Sequence, residues 1–294
     1  MNWKYFDSKF EYEEMFDDAC WPWTGHRYFA YDLIRNLKPE VVVELGTHKG
    51  TSFYAFSQGA KDENLSTKLF AVDTWEGDEH AGFYGDDIYN EVQDIIKKYY
   101  GQQQVQLLRK TFDAALSDFS DHSIDILHID GLHTYEAVKH DFDSWLAKVK
   151  INGIILFHDI YISRGDFGVY KFWDELKAKY KTIEFYQSYG LGVLFLEEEK
   201  YDWIIKNGED IARYYSFMAE DKKNERIMKK FNEISEMLKT KEAEIAGMVK
   251  EIAQLNKTVQ VKDRTIQEKV AELDSIKSSL RWKVPNKLHK MIRG

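Results

Sequence analysis

The sequence predicts an α/β protein in which a doubly wound, mostly parallel sheet precedes one long helical segment. Between residues 40 and 197, short apolar runs alternate with stretches of helical periodicity, which is the pattern of repeated strand–helix units. Beyond residue 226, apolar residues recur at alternating spacings of three and four, the period of a coiled coil. Of 44 aromatic residues, only Phe231 and Trp282 lie beyond residue 219. An aromatic core therefore belongs to the front part of the chain.

The front part resolves into strands and helices in a regular order. The first strand, VVVEL at 41–45, is rich in β-branched residues and ends at a glycine, as buried parallel strands do. Further strands are predicted at 68–75, 105–111, 124–130 and 152–160, with a closing hairpin at 182–187 and 190–197. Helices are predicted at 51–60, 88–100, 113–119, 135–149 and 168–180. Sheets of this kind bind ligands at the carboxyl ends of their strands.

The helical segment 227–280 carries an apolar stripe, defined here as its heptad a and d positions. All eight a positions, spaced by seven from Phe231 to Leu280, are apolar. Five of the eight d positions are apolar, and Lys241, Lys262 and Lys269 fill the others. The stripe predicts self-association as a dimer or trimer in a coiled coil roughly 80 Å long at 1.5 Å per residue. Its β-branched a residues weakly favour a parallel dimer, and the lysines argue against a large bundle. The alternative is a lone solvated helix.

A basic segment follows the heptads. Residues 279–294 contain five Lys or Arg and no acidic residue, with apolar residues such as Trp282 interleaved. Such a tail suits peripheral contact with an anionic membrane surface, and the alternative is a frayed, solvated helix end. Five segments are thus predicted: an N-terminal helical and aromatic cap (1–39), the α/β domain (40–200), a helical connector (201–226), the coiled coil (227–280) and the basic amphipathic tail (281–294).

Composition excludes several classes of protein. The formal net charge is −9, and residues 1–219 are strongly acidic, which argues against nucleic acid as a partner because phosphates require a basic face. Cys20 is the only cysteine, so neither an intrachain disulfide nor a Cys-rich metal site can form. No secretory signal and no run of about 18 apolar residues is visible. We expect a cytoplasmic protein, with the basic tail able to reach the inner face of the membrane.

The ends of the first two strands indicate a nucleoside cofactor. The first strand runs into Glu44-Leu45-Gly46-Thr47-His48-Lys49-Gly50, where Gly46 permits a tight turn and Gly50 permits close packing of the next helix. This order differs from the G-x-G-x-x-G of a nicotinamide site. The second strand ends at Asp73, whose carboxylate can accept both ribose hydroxyls. Two carboxylates around a glycine turn suit S-adenosylmethionine, which carries a sulfonium cation.

Four segments then carry a family resemblance: VVVELGTHKGTSFYAF, AVDTWEGDEHAGFYG, DILHIDGLHTYEAVKHDF and GIILFHDI. Over roughly residues 20–195 the chain resembles class I S-adenosylmethionine-dependent methyltransferases associated with bacterial polysaccharide and glycosyltransferase systems. The resemblance implies a Rossmann-like sheet with the methionine end of the cofactor at Gly46 and its ribose at Asp73. The adenine would lie near Phe112. The cofactor residues expected on this basis are Glu44, Gly46, Thr47, Gly50, Asp73, Thr74, Phe112 and Asp130.

Acids and histidines that follow the fourth and fifth strands are the expected catalytic groups. Asp130 and His133 follow one strand, and His158 and Asp159 follow the next, so the four side chains should converge. A sugar hydroxyl reacts once a base takes its proton or a metal lowers its pKa. We expect His133 to be the base, with His158 as the second choice. Asp130 and Asp159 would be ligands for Mg²⁺ or Mn²⁺. The resemblance to catechol-type O-methyltransferases also points to metal, although Ile160 stands where that pattern has asparagine.

Two other segments offer side chains that suit contact with the acceptor. His80, in a glycine-rich stretch, suits a lid residue or a plain surface loop. The segment Trp21-Pro22-Trp23-Thr24-Gly25-His26 offers aromatic faces for a sugar, although core packing explains the tryptophans equally well.

The function predicted is O-methylation of a sugar hydroxyl in a glycan or glycan precursor of cell-surface polysaccharide, by in-line methyl transfer. The alternatives left open are a nucleotide-sugar oxidoreductase or epimerase, and a non-catalytic coiled-coil scaffold.

Overall fold

The computed structural model describes residues 3–12 and 21–283. The chain divides into two units on either side of the bond between Asn224 and Glu225, close to the change in composition at residue 219. The first unit holds the sheet and all the side chains predicted for catalysis or cofactor binding. The second unit is helical.

The first unit is built on a seven-stranded mixed sheet with the order β5-β2-β1-β6-β7-β9-β8. Its strands are β1 Val41–Leu45, β2 Lys68–Asp73, β5 Gln104–Arg109, β6 Ile124–Ile129, β7 Val149–His158, β8 Lys181–Phe185 and β9 Leu191–Phe195. The first five of these are parallel to one another, and β9 pairs antiparallel with both β7 and β8. The doubly wound, mostly parallel sheet and its closing hairpin are therefore confirmed.

Helices cover both faces of the sheet. The helices of the unit are α1 Trp21–Thr24, α2 Arg27–Leu37, α3 Thr51–Asp62, α4 Asp86–Tyr99, α5 Phe112–Ala115, α6 Tyr135–Trp145, α7 Val169–Lys177 and α8 Glu198–Lys206; α9, Gly208–Lys283, begins here. Helices α2, α3 and α4 contribute to one apolar core, and α5, α6 and α7 to the other. The polar residues predicted for the site, apart from Glu44, lie at the carboxyl ends of the parallel strands.

The structure differs from the prediction at two places in the sheet. The sixth helix ends at Trp145 rather than 149, because Val149 already pairs with Ile124 as the start of β7. A two-stranded hairpin, β3 Gly77–Asp78 and β4 Gly82–Phe83, follows β2 and was not predicted. Each of its strands has only two residues, too few for the alternation of apolar and polar residues that identifies a strand.

The predicted connector 201–226 begins inside the core of the first unit. Tyr215 on α9 is almost fully buried, and its hydroxyl donates a hydrogen bond to the Asp32 carboxylate on α2. The indole nitrogen of Trp3 donates to the Tyr215 hydroxyl at 2.9 Å. The N-terminal segment and the start of α9 therefore pack as parts of one core rather than as a separate cap and a separate linker.

The second unit is the remainder of α9, from Glu225 onward. Every apolar a or d side chain from Ile227 to Ile276 is exposed, between 46% and 64%. Coiled-coil formation stays a prediction, and the basic tail beyond Lys283 lies outside the described residues. Across residues 3–12 and 21–283, no helix combines the length and the apolar character needed to cross a membrane.

Candidate active site

A cavity of about 510 Å³ opens at the carboxyl edge of the parallel strands. It is lined by the turns that follow β1, β2, β5, β6 and β7, as the strand order predicts. Its size lies within the range of roughly 300–1,000 Å³ that small-molecule pockets occupy. Of the predicted site residues, the cavity contacts Gly46, Thr47, Asp73, Thr74, Phe112, Asp130, His133, His158 and Asp159.

The turn at Gly46 is tight for a physical reason. Its φ is +88°, a conformation that favours glycine, and a Cβ atom there would lie 2.0 Å from the carbonyl oxygen of Asp130. The Gly46 amide donates to the Val72 carbonyl at 2.9 Å. The end of β1 therefore passes directly against the end of β6, leaving room for a ligand above the turn.

Asp73 holds this turn through its own carboxylate. One oxygen accepts hydrogen bonds from the backbone amides of Thr47, at 2.9 Å, and His48, at 2.8 Å. The other oxygen accepts from the amide of Trp75 at 2.7 Å. A carboxylate offers about four lone-pair sites. Three are used within the protein, so Asp73 has about one left for a ribose hydroxyl, and not the two that the sequence reasoning expected.

Two predicted cofactor residues do not line the cavity. Glu44 has no exposed surface, and its carboxylate pairs with the ring of His128 at 2.9 Å inside the sheet. Gly50 begins α3 at a φ of +86°, and a Cβ there would meet the Tyr54 ring at 2.5 Å. Glu44 is therefore a core residue, and Gly50 serves the close packing predicted for it rather than ligand contact.

Asp130, His133, His158 and Asp159 converge as expected. The Nε2 atom of His133 lies 3.0 Å from Asp159 Oδ2 and 3.5 Å from Asp130 Oδ1. His158 Nδ1 lies 3.2 Å from the same Asp130 oxygen. Asp159 adopts a positive φ of 61°, an unusual conformation for a residue with a side chain and one often found at functional sites.

The charges of this cluster strongly shift its pKa values. Burial alone would lower the pKa of His133, but hydrogen bonds to and charges on Asp130 and Asp159 raise it to about 10. Likewise, burial disfavours the charged form of His158, yet the charges of Asp159 and Asp130 raise its pKa to about 9. Burial would raise the pKa of Asp130, and the two histidines instead hold it well below its usual range. At neutral pH the ionised Asp130 carboxylate therefore lies between two imidazolium cations.

Both ring nitrogens of His158 have partners within the protein, which argues against its use as a base. Its Nε2 atom donates to the Ser188 carbonyl at 3.1 Å, while Nδ1 faces Asp130. His26 Nε2 donates to the same carbonyl at 3.2 Å, and burial together with the charge of His158 lowers the pKa of His26. This link to the loop before β9 was not predicted. Its only signal in the sequence is the presence of histidines at 26 and 158.

Aromatic rings border the acid–histidine cluster. Trp23 is only 5% exposed, and it also lines the cavity, with its ring 5.9 Å from that of His158. Trp23 therefore packs in the core and borders the site at the same time. The side chains of Trp21 and Pro22 lie outside the part of the chain that the structure describes. Phe167 stacks on His133 at 4.9 Å and on His80 at 4.4 Å between ring centroids.

His80 joins two loops across the mouth of the cavity. Its Nε2 atom lies 2.8 Å from Asp166 Oδ1, which connects the β3–β4 hairpin to the loop after β7. The hairpin itself is held by Asp78, whose Oδ1 accepts from the amides of His80 and Ala81, each at 2.7 Å. His80 therefore occupies the position of a lid residue rather than that of a free surface loop.

The cluster has the composition of a divalent cation site. Asp130, His133 and Asp159 each present one ligand atom, and the three atoms lie within 4.8 Å of one another. Asp159 Oδ1 is buried and accepts no hydrogen bond among the described residues, and its nearest ionic partner is His158 Nδ1 at 3.4 Å. Ile160 is buried in the core and supplies no ligand. Carboxylate oxygens and an imidazole nitrogen suit Mg²⁺ or Mn²⁺.

Comparisons with known proteins agree with this geometry. Residues 43–160 match a family described as "Methyltransferase domain". The uncharacterized protein y4gI of Sinorhizobium fredii is 44% identical over 184 residues, which cover 63% of this chain. The chain spans about a fifth of the length of that curated relative, since the match covers 20% of it.

Similar solved structures include the SAH-bound methyltransferase PaMTH1 of Podospora anserina, at 16% identity and a TM-score of 0.45, covering 60% of this chain and 87% of that one. An O-methyltransferase from Bacillus cereus in complex with SAH aligns at 14% identity and a TM-score of 0.43, covering 57% and 79%. The family match spans β1 to the end of β7, the same strands whose ends form the cavity. Residues 43–160 of this chain therefore match a methyltransferase domain.

Proposed function

We propose that the chain is an S-adenosylmethionine-dependent O-methyltransferase that methylates a sugar hydroxyl of a glycan or glycan precursor in cell-surface polysaccharide biosynthesis. One observation carries the proposal. A single cavity contains both the glycine turn held by Asp73 and the cluster of Asp130, His133 and Asp159. Asp130 contacts both, since its backbone carbonyl lies against Gly46 and its side chain belongs to the cluster. A donor and an acceptor can therefore meet at Asp130.

The cofactor end favours S-adenosylmethionine for reasons of shape and charge. Gly46 keeps the space above the turn open, and Asp73 retains a lone pair for one ribose hydroxyl. Thr74 and Phe112 border the part of the cavity assigned to the adenosine. The Asp73 carboxylate at the turn attracts a cation such as the sulfonium and disfavours a pyrophosphate close to it.

The acceptor end suits a hydroxyl on a sugar ring. The rings of Trp23, Phe167 and Tyr189 line this end, and aromatic faces pack against the apolar CH faces of sugars. Carboxylates and carbonyl groups beside them accept hydrogen bonds from hydroxyls.

Methyl transfer is an in-line displacement. The acceptor oxygen forms a bond to the methyl carbon while the carbon–sulfur bond breaks and its electron pair stays on sulfur. The hydroxyl proton must go to a base, for which we assign His133. As it stands, His133 is protonated, because Asp130 and Asp159 raise its pKa to about 10. A cation bound by these carboxylates would lower the pKa of His133 and would allow its imidazole to act as the base.

A divalent cation held by Asp130 and Asp159 would supply that charge and would also lower the pKa of a bound hydroxyl. Asp130 and Asp159 would hold such an ion, His133 would face the hydroxyl, and Phe167 and His80 would exclude water from above. The chain's own contribution is therefore positioning together with a place for the proton.

The test begins with the intact chain and S-adenosylmethionine. We expect a Kd in the micromolar range by calorimetry, and transfer of a labelled methyl group to oligosaccharides but not to phenols in a mixed acceptor panel. His133→Ala should keep cofactor affinity and lower turnover by about 10²–10⁴-fold. His122→Ala is the matched control, since His122 binds the Val149 carbonyl beside the start of β7, at the opposite edge of the sheet.

Three results would contradict the proposal. Binding of a nicotinamide dinucleotide in place of the methyl donor would favour an oxidoreductase or epimerase. The absence of any donor binding, with Gly46→Val tolerated, would favour a scaffold. Normal turnover of His133→Ala would remove the base assignment alone. Contact of the basic tail with the inner face of a membrane is proposed separately, and co-sedimentation with vesicles containing phosphatidylserine tests it.

A further inference from the structure

We propose that residues 227–276 pair with the same segment of a second copy of this chain in the antiparallel orientation. The apolar side chains of the stripe from Ile227 to Leu273 are 46–64% exposed. A regular stripe of this length needs a partner helix of the same period, and a second copy supplies one. This inference does not depend on the proposed function.

The orientation decides which positions face each other. Along one helix, the step from a to d is three residues and the step from d to the next a is four. In a parallel in-register pair, the steps match when a faces a and d faces d. In an antiparallel pair one helix runs in the opposite direction, so its three-residue and four-residue steps come in the reverse order. Steps of equal length then lie side by side only when each a position faces a d position. This holds in every antiparallel register that keeps the stripes together.

The three lysines of the stripe distinguish the two orientations, because all of them occupy d positions. A parallel dimer would place Lys241, Lys262 and Lys269 each opposite its own copy, which brings like charges together in three core layers. In the antiparallel pair, every lysine faces an apolar a residue, along which its methylene stem can pack while the ammonium reaches water. The contacts of Lys241 with Glu244 and of Lys269 with Glu272 are exposed and do little to offset three facing lysine pairs.

Full overlap of the two stripes fixes the register. The central layer then joins Ile252 to Leu255, and the layers outward from it join Met248 to Val259, Ile245 to Lys262, Lys241 to Ile266, Leu238 to Lys269, Ile234 to Leu273 and Phe231 to Ile276. Glu242 and Asp263 lie at e positions next to Lys241 and Lys262. The reversed pairing places Lys241 of one copy one layer away from Lys262 and Lys269 of the other, and the neighbouring acids offset these charges across the interface.

Cysteine cross-linking tests the orientation in the full-length chain. In a Cys20→Ser background, Phe231→Cys and Ile276→Cys are made as separate variants and oxidised alone and as a mixture. The antiparallel pair predicts a disulfide-linked dimer in the mixture and none in either variant alone. A parallel pair predicts a disulfide-linked dimer in each variant alone, since each cysteine would then face its own copy. Light scattering should give twice the chain mass, and a monomer would overturn the proposal.

A charge-matched pair of variants tests the physical cause. Lys241, Lys262 and Lys269 are changed together to Gln in the Ile276→Cys chain, and Lys250, Lys257 and Arg264, on the outer f positions, are changed to Gln in the control. Removing the stripe charges should allow parallel pairs, so cross-linking of the single-cysteine chain should rise at least several-fold, while the control stays uncross-linked. Equal cross-linking in both would show that lysine repulsion does not set the orientation. A dimer that forms no cross-link in the mixture would refute the centred register.

Discussion

Replacing Asp73 with asparagine tests whether this side chain holds the cofactor turn. The carboxylate accepts two backbone bonds on one oxygen, from Thr47 and His48, and one on the other, from Trp75. An amide has one accepting oxygen. If that oxygen keeps the bonds from Thr47 and His48, the NH₂ group faces the buried amide of Trp75. Two N–H donors then face each other with no acceptor between them.

The expected cost follows from these bonds. An orphaned buried N–H costs about 1–3 kcal/mol, and loss of the negative charge weakens each remaining bond by roughly 1 kcal/mol. Asp73→Asn should therefore lower the free energy of unfolding of the first unit by roughly 3–5 kcal/mol. Affinity for S-adenosylmethionine should fall more than tenfold, because the turn at Gly46 loses its anchor.

Asp78→Asn is the matched control for this experiment. Both of its backbone bonds, from His80 and Ala81, converge on a single oxygen, so an amide can keep them. We expect its unfolding free energy to change by less than about 1 kcal/mol. The assay is urea unfolding followed by tryptophan fluorescence, with calorimetry for the cofactor. If the two variants unfold at the same urea concentration, the account of the Gly46 turn is refuted.

Three further predictions concern the turn, the metal and a buried acid. Gly46→Ala should unfold or lose cofactor binding, because its Cβ would lie 2.0 Å from Asp130, whereas Gly82→Ala, at a similar φ but with open space around it, should remain folded in thermal melts. Chelation by EDTA should abolish methyl transfer, Mg²⁺ or Mn²⁺ should restore it, and Asp159→Asn should resist restoration while cofactor affinity is kept. Burial raises the pKa of Asp32 to about 7, so the folded state binds a proton more tightly than the unfolded chain. This contribution to the free energy of unfolding is complete below about pH 4, and at most ~4 kcal/mol of it is lost as the pH rises through 7. Between these pH values, the free energy of unfolding of Asp32→Asn should therefore fall less than that of the unchanged chain.

Much of the fold could be predicted from local pattern. The strand at 41–45 was found with its observed bounds because β-branched residues and a terminal glycine mark it locally. The β3–β4 hairpin and the burial of Tyr215 were missed for a different reason. A two-residue strand has no period to detect, and Tyr215 gains its place only through contacts with Trp3 and Asp32, far away along the chain.

The sequence by itself determined that acids and histidines stand at the ends of neighbouring strands, and parallel pairing then brings Asp130, His133 and Asp159 together. Only the tertiary structure decided which hydrogen-bonding groups of each side chain remain available to a ligand. Strand β1 is buried on both faces, so its sequence lacks the alternation of apolar and polar residues that would reveal which face Glu44 occupies. The structure shows that Glu44 faces His128 rather than a ligand. The hydrogen bonds that occupy Asp73 and His158 come from groups distant in sequence. Their availability to a ligand is therefore a property of packing, which no local pattern encodes.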